Sequence, residues 1–432
     1  MSSQIISALE SSPLASSISK ASQEDIGKFV YGLEEKQPLS APLYSTTTPN
    51  ATYTFGNSHM RFSIPRFGHL KSALFVQMDI NCGYNGSDTI GYRYGGMMSL
   101  WKSAKLVSSS GREIANLLPE AVWAYMANLP KEEADAIREL TNFYPNSTTT
   151  NPGAGDADPY GLRTGSGATG GKWSGFIYLP FACLSSPSTT LDTNFCESVE
   201  LVLEMRTSAT SWMSNNARTG GLAITDPKLL CGFTVFGPKQ LKAITARNFK
   251  VGSVLTVVTH EDELLNDTEV DISALSDVLS TKEVDITIDS NGLYTKFIIV
   301  AQHQDANGLI TNLCNIESAS LKASGSDIIP SGYNPKVLAL MSHQAYSGGH
   351  QSNITNTLHD DLFQIPFTTS KVRHSFQNGI SLRNLPQLSL KLNIRPTSVD
   401  SSEKVQVRVI GVRVKSYSIS ASSGRINTAL NV

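Results

Sequence analysis

Two stretches of this chain, 186 residues apart, follow one plan. The first is Phe176-Ile-Tyr-Leu-Pro-Phe181, followed by Val199-Glu-Leu-Val-Leu-Glu-Met-Arg206. The second is Leu362-Phe-Gln-Ile-Pro-Phe367, followed by Leu388-Ser-Leu-Lys-Leu-Asn-Ile-Arg395. Each reads as a strand holding a proline, a long connection, and an alternating strand that ends in arginine. An earlier and weaker pair, Trp101-Lys-Ser-Ala-Lys-Leu106 and Ile316-Glu-Ser-Ala-Ser-Leu321, is offset by 215 residues. The two offsets differ by 29, which implies an insertion of that size in the first copy only. A structural unit used twice in tandem accounts for all three pairs.

The texture around these pairs is that of a β protein. From Thr52 onward, short runs rich in β-branched and aromatic residues alternate with Gly, Asn and Ser clusters. Met60–Ile64, Ala73–Ile80, Ser99–Val107 and Leu229–Phe236 are examples in the first half. Ser253–Thr259, Val284–Ile288, Tyr294–Gln302, Lys336–Ser342 and Val405–Ser420 are examples in the second. Such runs, bounded by turn residues and closely spaced, predict sandwiches or barrels. One stretch differs. Arg112–Phe143 is helix-forming and interrupted by Pro119 and Pro130. Proline fits the first turn of a helix, so two short helices starting near those prolines are expected. Asn146–Gly171 follows as a loop too long to be a mere connection.

At 432 residues the chain has room for two or three domains. Only 17% of residues are charged, below the roughly 25% usual for soluble domains, which points to surface used against other protein. The 35 basic and 37 acidic residues balance to −2, without the basic face of a nucleic-acid binder. Five cysteines, Cys82, Cys183, Cys196, Cys231 and Cys314, form no CxxC pair and predict buried, reduced thiols. The start of the chain lacks the charged region and apolar core of a signal peptide, and no apolar run reaches membrane-spanning length.

Several segments resemble, in order, the double-jelly-roll major capsid proteins of icosahedral double-stranded DNA viruses. Phe62-Ser-Ile-Pro-Arg-Phe-Gly-His-Leu70, followed by Ala73–Ile80, is similar to an early strand of the family's first jelly roll, with His69 where the family has Asp. Ser99–Ile114 is similar to a strand entering a Gly turn, although the pair Gly95-Gly96 sits before it. Phe176–Phe181 with Leu191–Leu201, then Leu362–Phe367 with Gly379–Leu392, resemble later blocks of the two rolls. Val409–Asn427 resembles the closing strand.

The resemblance implies an all-β fold of two tandem eight-stranded jelly-roll β-sandwiches, with a short helical insertion in the first. It divides the chain into an arm over 1–50, a first jelly roll over 51–240 with the insertion at 112–143 and the loop at 146–171, a second jelly roll over 241–420, and a tail over 421–432. It further implies a capsid protein of the virion, assembled in the host cytoplasm or nucleus. Its partners would be itself, as a pseudo-hexagonal homotrimer beside neighbouring capsomers, then penton and minor capsid or cement proteins, with an internal lipid membrane as a further option. No sequence-specific nucleic-acid contact is implied. The arm and tail would tie neighbours or face inward. The helical segment 113–142 and the loop 146–171 would serve trimer contacts or the outer surface. The alternative is a carbohydrate-binding or adhesion protein, such as a viral spike or lectin-like tandem sandwich.

The sequence nominates no catalytic, cofactor-binding or metal residue. Gly165-Ser-Gly-Ala-Thr-Gly170 fits GxGxxG but lies in a Gly-rich loop and runs into a strand, the wrong context for a dinucleotide. His260-Glu-Asp-Glu263 puts His260 and Asp262 on one strand face, and reads as an exposed polar strand end more readily than as a metal site. His343, His350, His359 and His374 lack metal-ligand spacing. Trp101 and Trp123 read as core or interface residues. No nucleophile elbow is present, so the chain is expected not to be an enzyme.

Overall fold

Val199–Met205 illustrates how the strands of this protein form. Val199, Leu201, Leu203 and Met205 are buried, while Glu200, Val202 and Glu204 are partly exposed. Alternate residues of a strand face opposite ways, so this spacing lays one apolar row on a core. Leu388–Arg395 repeats the pattern with Leu388, Leu390, Leu392 and Ile394.

The computed structural model describes residues 40–70, 72–82, 96–127, 129–141, 171–185, 191–207, 222–237, 254–275, 277, 279–304, 310–333, 362–367, 379–384, 388–396 and 404–429. In the first half the strands are β1 (Ser40–Thr47), β2 (His59–Ser63), β3 (His69–Leu70), β4 (Leu74–Cys82), β5 (Trp101–Ser108) and β6 (Glu113–Leu117). Helices α1 (Pro119–Ala127) and α2 (Lys131–Thr141) follow, then β7 (Gly171–Leu179), the single turn α3 (Ala182–Ser185), β8 (Leu191–Asp192), β9 (Val199–Met205) and β10 (Leu222–Phe236). The second half has β11 (Val254–Asp271), β12 (Lys282–Ile288), β13 (Leu293–Gln304), β14 (Ile310–Leu313), β15 (Asn315–Ala323) and β16 (Ser326–Tyr333). It continues with β17 (Leu362–Pro366), β18 (Ile380–Ser381), β19 (Leu388–Arg395), β20 (Lys404–Ser420) and β21 (Ile426–Ala429).

Among the described residues all pairings are antiparallel, and the two halves share one topology. In the first, one sheet runs β1-β10-β4-β7, with short β3 and β8 extending β4 and β7, and the facing sheet runs β2-β9-β5-β6. In the second, one sheet runs β11-β20-β13-β17, and the facing sheet runs β12-β19-β15-β16. Each is an eight-stranded jelly roll, and together they are a double jelly roll.

Register tightens the match. The pairing of β5 with β9 shifts between Trp101 and Ser103, and that of β15 with β19 shifts between Ile316 and Ser318. Below the shift Leu106 faces Leu201, and Leu321 faces Leu390. The two bulges therefore occupy one place, with Lys102 and Glu317 as the extra residues. A second shared irregularity skips Ile114 in β6 and Ile328 in β16. The turns joining these hairpins both use a glycine in the left-handed region, Gly111 at φ 77° and Gly325 at φ 84°.

Four boundaries depart from expectation. Residues 40–47 are not arm but the first strand of the first roll, paired with β10 along its length. Pro42 hides this strand in the sequence, yet β1 is an edge strand, where proline is tolerated. Residues 1–39 lie outside the described residues. The segment 113–117 is strand β6 and not helix, while the helices begin at Pro119 and Lys131, as the prolines indicate. The strand expected over 253–259 runs on to Asp271, because β20 pairs with it throughout. Finally, 426–429 is not free tail but a hairpin arm on β20. Within 146–171 only Gly171 is described, as the first residue of β7.

Candidate assembly surfaces

The second roll presents the outer face of its β11-β20-β13-β17 sheet to the first roll. Strand alternation places Phe297, Ile299, Val407 and Val409 inside the second sandwich, and Ile298, Val300, Ile410 and Val412 outside it. These outer residues are nonetheless buried, because they join the first roll's core. Strand β6 and the helices α1 and α3 of the first roll lie against β11 and β13.

The motif His260-Glu-Asp-Glu263 lies in the middle of this junction. The expectation of an exposed strand end fails: His260 and Asp262 are buried. A polar run looks solvent-facing in sequence, but here a second domain covers it. The Asp262 carboxylate accepts the N–H of Leu118 at 3.0 Å, and its carbonyl accepts Asn116 Nδ2 at 2.8 Å. Burial pushes its carboxyl up to about 7, opposed by the Leu118 N–H and by Lys296, and reinforced by Glu261 and Glu120. The other two carboxylates point to different partners. Glu261 meets Lys415 Nζ at 2.5 Å. Glu263 accepts the Tyr294 hydroxyl at 2.6 Å and lies 3.3 Å from Arg413 Nη1. The three carboxylates thus take different partners, and among the described residues no group of three His, Cys, Asp or Glu could hold a metal ion.

Sequence reasoning overlooked the other charges here. Glu120, in the first turn of α1, is buried and paired with Arg408 of β20. Arg206, just after β9, lies beside both; burial pulls its guanidinium below the ordinary value, opposed by Glu120 and reinforced by Arg408. A faint signal existed, since the repeat ends each alternating strand in arginine. Arg395, the counterpart, forms a half-exposed pair with Glu317 at 2.9 Å. The insertion therefore serves the internal junction first. Tyr125 of α1 approaches Tyr178 of β7, with ring centroids 6.3 Å apart, while Glu120 reaches across to β20. This corrects the assignment of 113–127 to trimer contacts or the outer surface.

The chain end closes onto the first roll as well. Glu197, between β8 and β9, accepts the N–H of Ile426 at 2.6 Å and the hydroxyls of Ser109 and Ser110. Burial would raise its carboxyl, but those hydrogen bonds prevail and hold it below the ordinary value. Gly424, at φ 66°, sits so close that a Cβ would lie 2.2 Å from the Phe195 carbonyl oxygen. The same loop is gripped by Arg66, which donates to the carbonyls of Thr193, Asn194 and Cys196 at 2.9–3.0 Å. Gly424 and Ile426 thus belong to the chain's own packing.

The remaining candidates sort simply. Trp101 and Trp123 are core residues. Cys183, Cys196, Cys231 and Cys314 are buried and form no disulfide among the described residues. His69 is buried in β3, 3.5 Å from Asp192 of β8, and edge-on to the Phe236 ring. Gly165–Gly170, His343, His350, His359 and His374 lie outside the described residues.

Two of the exposed apolar surfaces among the described residues bear on assembly. One is the first roll's outer sheet face at β1, where Tyr44 is 81% exposed. The other is β16, where Ile328 and Pro330 face outward.

The architecture is that of the tandem double jelly roll, and solved structures of that class match over nearly the whole chain. The capsid of the virus PBCV-1 matches with a TM-score of 0.67 at 12% identity, covering 93% of this chain and 99% of that one. The Faustovirus major capsid protein matches at 0.56 and 10% identity, over 89% and 92%. The mavirus major capsid protein matches at 0.56 and 9% identity, over 93% and 92%. No family model matches, and no curated protein does. At such identities the likeness is one of fold.

Proposed function

We propose that this chain is the major capsid protein of an icosahedral double-stranded DNA virus. On this reading it assembles into pseudo-hexagonal homotrimers that tile the virion shell. The observation that carries the reading is the repeated roll. One chain holds two sandwiches of equal topology, locked by a buried junction, and the whole unit coincides in fold with capsid subunits over nearly their full length. Six equal rolls in three chains would give a six-cornered block from three identical subunits, and closed rotation would keep it discrete. Penton and minor capsid or cement proteins are the further partners, with an internal membrane beneath the shell as an option. No enzymatic role is proposed: the polar clusters at the junction are engaged with each other. The carbohydrate-binding or adhesion alternative draws no support from the likenesses above.

The test is the mass of the purified protein in solution with negative-stain microscopy. Three chain masses and hexagonal outlines support the reading. A strict monomer at capsid-assembly concentrations overturns it.

A further inference from the structure

The repeat allows residues of the two rolls to be matched through their pairing registers. Pro180 and Pro366 follow or end equivalent strands, which sets Tyr178 beside Gln364. Tyr178 pairs with Phe75 and Gln364 with Ile298, so Phe75 corresponds to Ile298. Phe75 pairs with Leu230 and Ile298 with Ile410, so Leu230 corresponds to Ile410. Two residues further on, Gly232 faces Tyr44 and Val412 faces Asp262. Tyr44 therefore corresponds to Asp262. The same step on the facing sheets matches Ile328 of β16 with Ile114 of β6.

Covered and open positions now fall into a pattern. In the second roll, Asp262, Ile298 and Ile410 are buried because the first roll lies on them. In the first roll, their counterparts Tyr44, Phe75 and Leu230 are exposed or only partly buried. On the covering side, Ile114 is 0% exposed, whereas Ile328 is 39% exposed. Each chain thus closes one face-to-strand junction internally and leaves open the two halves of a second one. Those halves cannot meet within one chain if the two rolls already meet through the first junction, but they can meet between chains.

We propose that the outer face around Tyr44 of one chain is the docking surface for strand β16 of a second copy, in the geometry of the internal junction. This deepens the capsomer reading and rests on it. The contact is head-to-tail: different patches of identical chains meet, and such contacts generate closed rings when the rotation closes. Tyr44 supplies what an aromatic anchor needs, a large and nearly free side chain. Ile328 and Pro330 supply an apolar partner surface. The internal contact of Asp262 with the segment 116–118 places Tyr44 opposite the chain just after Ile329, at Pro330.

Two measurements on the full chain test this. Tyr44→Arg, Ile328→Asp and the control Tyr44→Phe are compared for mass in solution and melting temperature. The first two are expected to weaken association by about 30-fold or more with melting of the dilute chain unchanged, while Tyr44→Phe still assembles. In a mixture of Tyr44→Cys chains with Pro330→Cys chains, oxidation should give a disulfide between those positions, mapped by mass spectrometry. If wild-type trimers form but neither substitution weakens them and no such disulfide appears, this surface is wrong and the capsomer reading stands. If the wild-type chain stays monomeric, both fall.

Discussion

Ile114 and Ile328 are the same amino acid at the same bulge of equivalent strands, yet one is fully buried and the other is half open. Arg206 and Arg395 end equivalent strands, yet one lies among buried charges and the other pairs at the surface. Asp262 and Tyr44 share a register position on equivalent sheets, yet the carboxylate is buried and the aromatic ring is in solvent. The rolls agree wherever a residue faces its own sandwich and diverge wherever it faces outward. A sandwich core imposes the same demands on both copies. The outer surfaces have separate histories, because only one of each kind meets the other roll within the chain.

The largest test of this contrast is electrostatic. Glu120→Ala removes the buried carboxylate beside the largely buried Arg408 and Arg206, leaving only Asp267, 3.6 Å from Arg408, a loss of about 3 kcal/mol in denaturant unfolding. Arg395→Ala breaks only the half-exposed pair with Glu317, within about 1 kcal/mol. Similar losses at both would break the contrast.

Next comes packing. Ile114→Ala should cost about 3 kcal/mol, the range for a buried aliphatic residue. Ile328→Ala in dilute, unassociated protein should cost less than about 1 kcal/mol. If association protects β16, the second value rises with protein concentration.

The junction also carries a pH signature. The Asp262 carboxyl is raised from 3.8 to about 7 in the folded protein. Its contribution to stability is therefore complete below the unfolded value and lost as pH climbs through about 7. Asp262→Asn keeps an acceptor for the Leu118 N–H without the charge. The variant should be more stable than wild type at pH 8, by about 2 kcal/mol in denaturant unfolding, and show no gain at pH 4. A gain at both would mean that charge burial is not the cause.

The smallest effect tests sameness. Gly111 and Gly325 sit at positive φ in equivalent hairpin turns of different length, with open space where a Cβ would go. Alanine at either should cost about 1 kcal/mol by backbone strain alone. Unequal values in thermal melts would loosen the match of the two hairpins.

Much of the fold is legible in the sequence alone. Pro119 and Pro130 marked both helix starts, and Trp101–Leu106 did correspond to Ile316–Leu321, down to the bulge. β1 was missed because Pro42 and its Ser and Thr neighbours look like arm, while an edge strand needs only one partner. β11 was cut short because the run from His260 to Asp271 is polar, although its backbone pairs with β20 as well as an apolar one would. Glu120, Arg206 and Arg408 were invisible as a group. They lie up to 288 residues apart, and charge alone does not reveal burial.

The sequence by itself determined which residues line each sandwich and that the sandwich occurs twice. Alternation with period two is a local property, and a repeat is visible as soon as two segments are compared. Only the tertiary structure decided which outer face is covered, where the buried charges gather, and which surfaces remain for a second copy. Period two says which residues share a face. What lies against that face depends on how one roll sits on the other, and no local pattern encodes that.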